Sequence, residues 1–202
     1  MSRAVFAKYL VAGLVVLLSL AAPAEGRADE AIRNEFYRSL GGAAASVPDG
    51  PTALLVSGVI GPGSYDEFRS ALMRGTPELV VLDGPGGILG EALLIGEEVR
   101  RRRLSTLVSP NRSCASACAI VFLSGRTKYL GAGAAVGLHS ASTADGRSDP
   151  EATKVMAAYL RGVGVPSSTL RRMARTAPKD IRWLTKAEQK AMGIQAFSEA
   201  AQ

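Results

Sequence analysis

Apolar runs too short for helices recur along this chain, each closed by a turn signal, and that rhythm leaves few folds open. Residues 52–60 read T-A-L-L-V-S-G-V-I and close on Gly61-Pro62-Gly63. Residues 78–82 close on Gly84-Pro85-Gly86-Gly87, and residues 104–109 close on Pro110-Asn111-Arg112. Runs that are apolar without alternation suit strands covered on both faces, as in a parallel sheet. The stretches between them have helical spacing. Ser64 opens one over residues 64–73, with Glu67 at the capping-box position. A second covers residues 89–103, where Ala92, Leu93, Ile95 and Val99 follow one face. Shorter strands are predicted at residues 128–130 and 134–138. Right-handed crossovers then make a mainly parallel α/β domain, whose ligand sites lie beyond the C-terminal ends of the strands.

The first residues stand apart from this rhythm. Arg3 and Lys8 precede an apolar run over residues 9–20 that ends in Ala22-Pro23-Ala24. That pattern predicts a secretory signal peptide over residues 1–24. The run is only slightly short of a bilayer span, so an uncleaved N-terminal anchor is the alternative. Either places the rest of the chain outside the cytoplasm, in the periplasm or secreted. A lead-in follows over residues 25–50, and one domain over residues 51–198 has enough chain for a single core.

The whole chain of 202 residues carries a formal charge of +6, which falls to about +4 once Arg3 and Lys8 leave with the signal. So diffuse an excess makes no case for nucleic acid. Arg100 to Arg103 form the one basic cluster, at a predicted helix end where cations complement the dipole; contact with anionic lipid or phosphate is the alternative.

The segment over residues 113–125, S-C-A-S-A-C-A-I-V-F-L-S-G, bears most on function. Small residues let a backbone pass close by, and Ser116 falls where strand gives way to an apolar helix. Cys114 and Cys118 flank it and have no other cysteine to pair with in an oxidising compartment. A disulfide four residues apart requires the segment to deviate from regular helix; two thiols packed as small hydrophobes are the alternative. Two cysteines and one histidine are too few for a structural zinc site, and no metal or cofactor is expected. The only histidine, His139, ends the strand predicted over residues 134–138.

These pieces suit amide or ester hydrolysis, which needs a nucleophile, a base and donors for an oxyanion. Ser116 is the candidate nucleophile and His139 the base. The Ala117 N–H and the Gly86-Gly87 turn are candidate donors, because residues without Cβ let the backbone approach a carbonyl. Each has an ordinary reading as well: Ser116 as a helix N-cap, His139 as a half-buried histidine, Pro-Gly-Gly as a turn.

L-D-G-P-G-G-I-L-G-E-A, then C-A-S-A-C-A, then G-L-H, resembles the Clp protease proteolytic subunit of the ClpP/crotonase superfamily, and within it the exported Clp-protease-like proteins of bacteria. The resemblance spans residues 52–142, and the closing L-T-K-A-E-Q-K-A-M-G-I is similar to the family's ending. It implies a mainly parallel sheet with flanking helices built from repeated ββα units. It also implies Ser116 as nucleophile, His139 as base, and Gly86, Gly87 and Ala117 as the oxyanion hole. The family's aspartate falls on Asp180, one residue farther from the following leucine, so a local bulge is required. Asp145 and Asp149 compete for the role of orienting the imidazole.

The chain departs from the family at three places. Asp83-Gly84 replaces Asn-Ser before Pro-Gly-Gly, and Ala117 replaces methionine after the serine. The segment between His139 and Asp180 is shorter than the family's handle and does not read as helix plus strand, which argues against a stacked ring and leaves a homo-oligomer open. An exported chain also has no access to ATP-driven unfoldases. The sequence therefore reads as an ATP-independent serine peptidase acting on peptides or unfolded segments. Two rivals remain: a non-catalytic binding or assembly module of the same fold, and a Ser-Lys hydrolase like the signal-peptide peptidases, with Lys128 or Lys154 as base.

Overall fold

A computed structural model describes residues 53–197. The expected signal or anchor and the lead-in lie outside the described residues. The first half of the domain runs β1 (Ala53–Ile60), α1 (Ser64–Arg74), β2 (Leu79–Gly87), α2 (Leu89–Arg101), β3 (Ser105–Val108), β4 (Ser113–Ala115) and α3 (Ala117–Leu123). The second half runs β5 (Lys128–Gly131), β6 (Ala135–Leu138), α4 (Pro150–Gly162), α5 (Ser167–Arg175), β7 (Arg182–Trp183), α6 (Lys186–Ala191) and β8 (Ile194–Phe197). Among the described residues, no helix is long and apolar enough to cross a membrane.

The eight strands form one curled sheet of order β7-β6-β4-β2-β3-β5-β8, with β1 also on β2. All pairs are parallel except β6–β7. Strand β2 is the branch point. Its first half lies between β1 and β3, Val80 and Leu82 being fully buried, as an unbroken apolar run requires. Beyond Leu82 it leaves β3, and Gly84 pairs with Cys114 of β4. The two ββα units, β3-β4-α3 and β5-β6-α4, agree with the sequence expectation.

Helix α3 fills the centre. Its sequence A-C-A-I-V-F-L is apolar all round, and all seven residues are buried. Helix α2 covers it with Ala92, Ile95, Gly96 and Val99. Leu93, expected on that face, is only partly buried.

Several local expectations are corrected. Ser64 is not an N-cap: Gly63 holds that position, and the Ser64 hydroxyl accepts the Gly61 N–H at 3.0 Å from within the first turn. The strand expected over residues 104–109 ends at Val108, and a separate β4 precedes Ser116. Strands β7 and β8 were not foreseen, being short and mostly polar or exposed. The polar loop after His139 folds back on itself. Thr143 N–H donates to the Arg147 carbonyl at 2.9 Å, and Asp149 N–H to the Ala141 carbonyl at 2.8 Å.

Helix α6 opens on a capping box between Thr185 and Glu188, and the box does more than cap. Glu188 accepts the Thr185 N–H at 2.9 Å and the Thr185 hydroxyl at 2.8 Å, while its other oxygen accepts the Thr169 hydroxyl at 3.0 Å and Arg172 from α5. Burial by itself would raise the Glu188 pKa. These donors outweigh burial and hold it at about 2, against an ordinary 4.5. A depressed carboxylate stabilises the fold above its unfolded pKa and loses that contribution as pH falls toward the folded one. Glu188→Gln is therefore expected to lower unfolding free energy at pH 7 by on the order of 2–3 kcal/mol. Urea titrations at neutral pH and near pH 3 check this: the gap between wild type and variant should narrow at the lower pH.

Candidate active site

Ser116 sits between β4 and α3 with φ 56° and ψ −123°, a combination that L-residues rarely adopt. Such backbone costs about 1–3 kcal/mol and persists only where the surroundings over-determine it. The Ser116 N–H donates to the Gly137 carbonyl of β6 at 2.9 Å, and its own carbonyl accepts the Ala119 N–H at 3.0 Å. Strand β4 is held on both sides, with Cys114 in register with Gly84 and with Val136. Ser116 stands at the N-cap position of α3, as its ordinary reading expects, but its side chain makes no cap hydrogen bond. Ser116 is half-buried, at the edge of a cleft.

The Gly86-Gly87 turn packs directly on this elbow. Gly86 has φ 108° and is buried, and a Cβ there would lie 2.6 Å from the Ser116 Cβ and 2.8 Å from the Ala117 nitrogen. Glycine is thus required twice, for conformation and for space. Gly87, with φ 142°, is exposed to the cleft. Ile88 N–H donates to the Ile60 carbonyl at 2.8 Å, so the intervening Gly87 amide faces away from β1 and toward the cleft. The Ala117 amide, first in its helix, has no intrahelical acceptor. These two amides border the same cleft as Ser116.

The departure at Asp83-Gly84 has a local cause. Asp83 pairs with Arg112 at 3.3 Å, tying β2 to the loop that leads into β4. A Cβ on Gly84 would collide with the Gly58 carbonyl of β1.

His139 follows β6, half-buried. Its Nδ1 lies 2.6 Å from the Ser140 carbonyl oxygen, which can only accept. Nδ1 therefore carries the proton, and Nε2 is left as the basic nitrogen. The Ser140 N–H in turn donates to the Thr176 carbonyl at 3.0 Å.

None of the three candidate aspartates hydrogen-bonds the imidazole. Asp180 is exposed in the turn after α5, where its N–H donates to the Ala177 carbonyl at 2.9 Å. Asp149 caps α4 through the Ala152 N–H at 2.9 Å. Asp145 pairs with Arg147 at 2.7 Å and takes the Thr143 hydroxyl. The register of the D-I-R-W-L-T stretch explains Asp180: Arg182 and Trp183 pair with β6, leaving Asp180 beyond the strand end.

The two candidate lysines are elsewhere. Lys128 reaches the Gly125 carbonyl at 3.3 Å, just past the C-terminal end of α3 and so the far end from Ser116; burial lowers its pKa there. Lys154 is exposed and pairs with Glu151 at 2.7 Å.

Ser116, Ala117, Gly87 and His139 line one cleft of about 410 Å³, and among the described residues no Asp, Glu, Lys or Arg lines it. Ile88, Leu89, Ile120 and Met156 make its apolar wall. Ser116 Oγ and His139 face this shared space without a direct hydrogen bond. Behind Ser116, Cys114 and Cys118 are joined as a disulfide with Cα atoms 5.2 Å apart. The Ser140 carbonyl and the Met156 wall had no signal in the sequence. One is a main-chain atom, and the other lies on a helix brought in by tertiary packing.

No protein-family model and no curated protein matches the sequence. Solved structures do. A serine-to-alanine mutant of the 1510-N membrane-bound stomatin-specific protease matches with a TM-score of 0.54 and 19% identity, over 74% of this chain and 79% of that one. A lysine-to-alanine mutant of the same protease, in complex with a substrate peptide, matches with a TM-score of 0.56 and 18% identity, over 74% and 75%. The ClpP protease catalytic domain from Plasmodium falciparum matches with a TM-score of 0.58 and 15% identity, over 85% of this chain and 91% of that one. The curled parallel sheet, its branch at β2 and these structural neighbours together identify the domain as one of ClpP/crotonase-like fold.

Proposed function

We propose that this chain is a serine peptidase of the ClpP-like type, working outside the cytoplasm without ATP on peptides or unfolded segments. One observation carries the reading: Ser116 is held in strained backbone against Gly86, with a histidine across the same cleft. The Ser116 Oγ attacks a peptide carbonyl carbon as His139 Nε2 takes its proton. The oxyanion forms within reach of the Ala117 and Gly87 N–H groups. The imidazolium returns the proton to the departing amine. Water, deprotonated by His139, then releases the acyl group and restores Ser116. The Ser140 carbonyl holds Nδ1–H, the place an aspartate takes in the usual triad.

The uncharged, partly apolar cleft suits neutral or apolar side chains beside the scissile bond. Export is supported by the N-terminal segment and by the cysteine pair, which persists in oxidising compartments. A homo-oligomer, and a membrane tether through the N-terminal segment, belong to the same proposal. No lysine among the described residues lines the cleft, which disfavours the Ser-Lys alternative. A non-catalytic binding module is the second reading, favoured by the missing Oγ–imidazole hydrogen bond. Apo sites often tighten only with substrate, so that bond is not required in advance.

Intact-mass labelling with a fluorophosphonate tests the assignment. The wild type should gain one adduct, and Ser116→Ala and His139→Ala should gain none. Absence of labelling in every oligomeric form would move the weight to the binding module. Asp180→Asn is expected to stay within about threefold of wild type, against the ~10⁴-fold loss typical of an orienting aspartate. Gly86→Ala should abolish labelling while costing about 1–3 kcal/mol in stability, because its methyl group meets Ser116 directly. Circular dichroism melts alongside labelling separate the two effects.

A further inference from the structure

We propose that the Cys114–Cys118 disulfide is a positioning element for the nucleophile, required to hold the Ser116 backbone in its reactive conformation. The inference rests on the peptidase reading above. The bond joins the residue two before Ser116 to the residue two after it, and so closes a small ring in which Ser116 is the one residue with positive φ. The Cα separation of 5.2 Å is shorter than the roughly 6 Å of four residues in a helix. It is far shorter than the roughly 13 Å of four residues in a strand. A disulfide tolerates no more than about 7 Å, so the extended conformations into which Ser116 could relax are closed to it.

The other restraints are two main-chain hydrogen bonds, Ser116 N–H to Gly137 and Ala119 N–H to Ser116, the short pairing of β4 and the buried helix α3 that follows; none of them links the two sides of Ser116 covalently. Serine has no preference for positive φ, so the local sequence does not supply the conformation by itself. Both cysteines are at most 2% exposed, facing the core and not the cleft. They touch no substrate and act only through the backbone between them. The Gly86 contact depends on the same restraint. If Ser116 rotates to ordinary φ, its Cβ and the Ala117 amide move relative to the glycine turn, and nucleophile and oxyanion donors lose their common geometry.

The test compares the oxidised wild type with the Cys114→Ala/Cys118→Ala variant and with wild type reduced by a water-soluble phosphine. In that reduction the disulfide gains two electrons and two protons to give two thiols, and the phosphine takes an oxygen from water to become its oxide. Two readouts are taken well below the melting temperature: the rate and affinity constants of fluorophosphonate labelling, and hydrogen exchange of the peptide containing the Ser116 and Ala119 amides. Positioning predicts at least about a tenfold drop in the labelling rate constant with affinity changed less than about twofold, together with faster exchange at those two amides. A lower melting temperature with unchanged rate constant and unchanged local exchange would overturn the proposal and leave the bond a general staple. If the double variant fails to fold, the phosphine-reduced wild type decides. If even oxidised wild type is not labelled, the peptidase reading falls, and the exchange comparison still decides whether the disulfide holds the Ser116 backbone.

Discussion

A seven-residue helix that is apolar on every side has to be covered on every side, and the domain is arranged around that requirement. Helix α3 is covered by α2 and by strands β2, β3, β4 and β6. Phe122, Ile120 and Leu123 are among the most deeply buried large side chains of the chain. Burial of each such side chain contributes about 1.5–3 kcal/mol, so the position of α3 is among the best-determined features of the fold. Its first residue follows Ser116 directly. The most strongly held element therefore delivers the candidate nucleophile to the sheet's C-terminal edge.

The covering of α3 also explains why β2 branches. A flat continuation of β2 beside β3 would leave the start of α3 without a strand to follow. Instead β2 parts from β3 after Leu82, and Gly84 takes up β4, the strand that ends at Ser116. Two residues on, Gly86 meets the elbow and Gly87 turns its amide outward. The candidate nucleophile and the candidate oxyanion donors are thus neighbours because two strands of one sheet are neighbours.

The candidate base is held less directly. His139 is oriented by the Ser140 carbonyl, Ser140 is bonded to Thr176, and Thr176 ends α5, which Glu188 ties to α6 through Thr169 and Arg172. A buried, fully hydrogen-bonded carboxylate costs much to disturb, since either helix would lose partners that water cannot replace inside the fold. The described residues after His139 brace the imidazole, and none of them supplies it with a carboxylate.

By itself the sequence determined the α/β class, the order of the main strands and helices, and the serine, histidine and glycine turn. Unbroken apolar runs and small residues around a lone serine are local signals, set by burial and by steric room. It also determined the Thr185–Glu188 capping box, since that motif closes within four residues. Only the tertiary structure decided the partner of His139, because a carbonyl oxygen carries no residue identity and Asp180 drops away once Arg182 and Trp183 pair with β6. It likewise decided β4, β7 and β8, whose pairing rests on neighbours distant in sequence. The positive φ of Ser116 belongs here too: serine permits it rarely, and β4, β6, α3 and the disulfide together impose it.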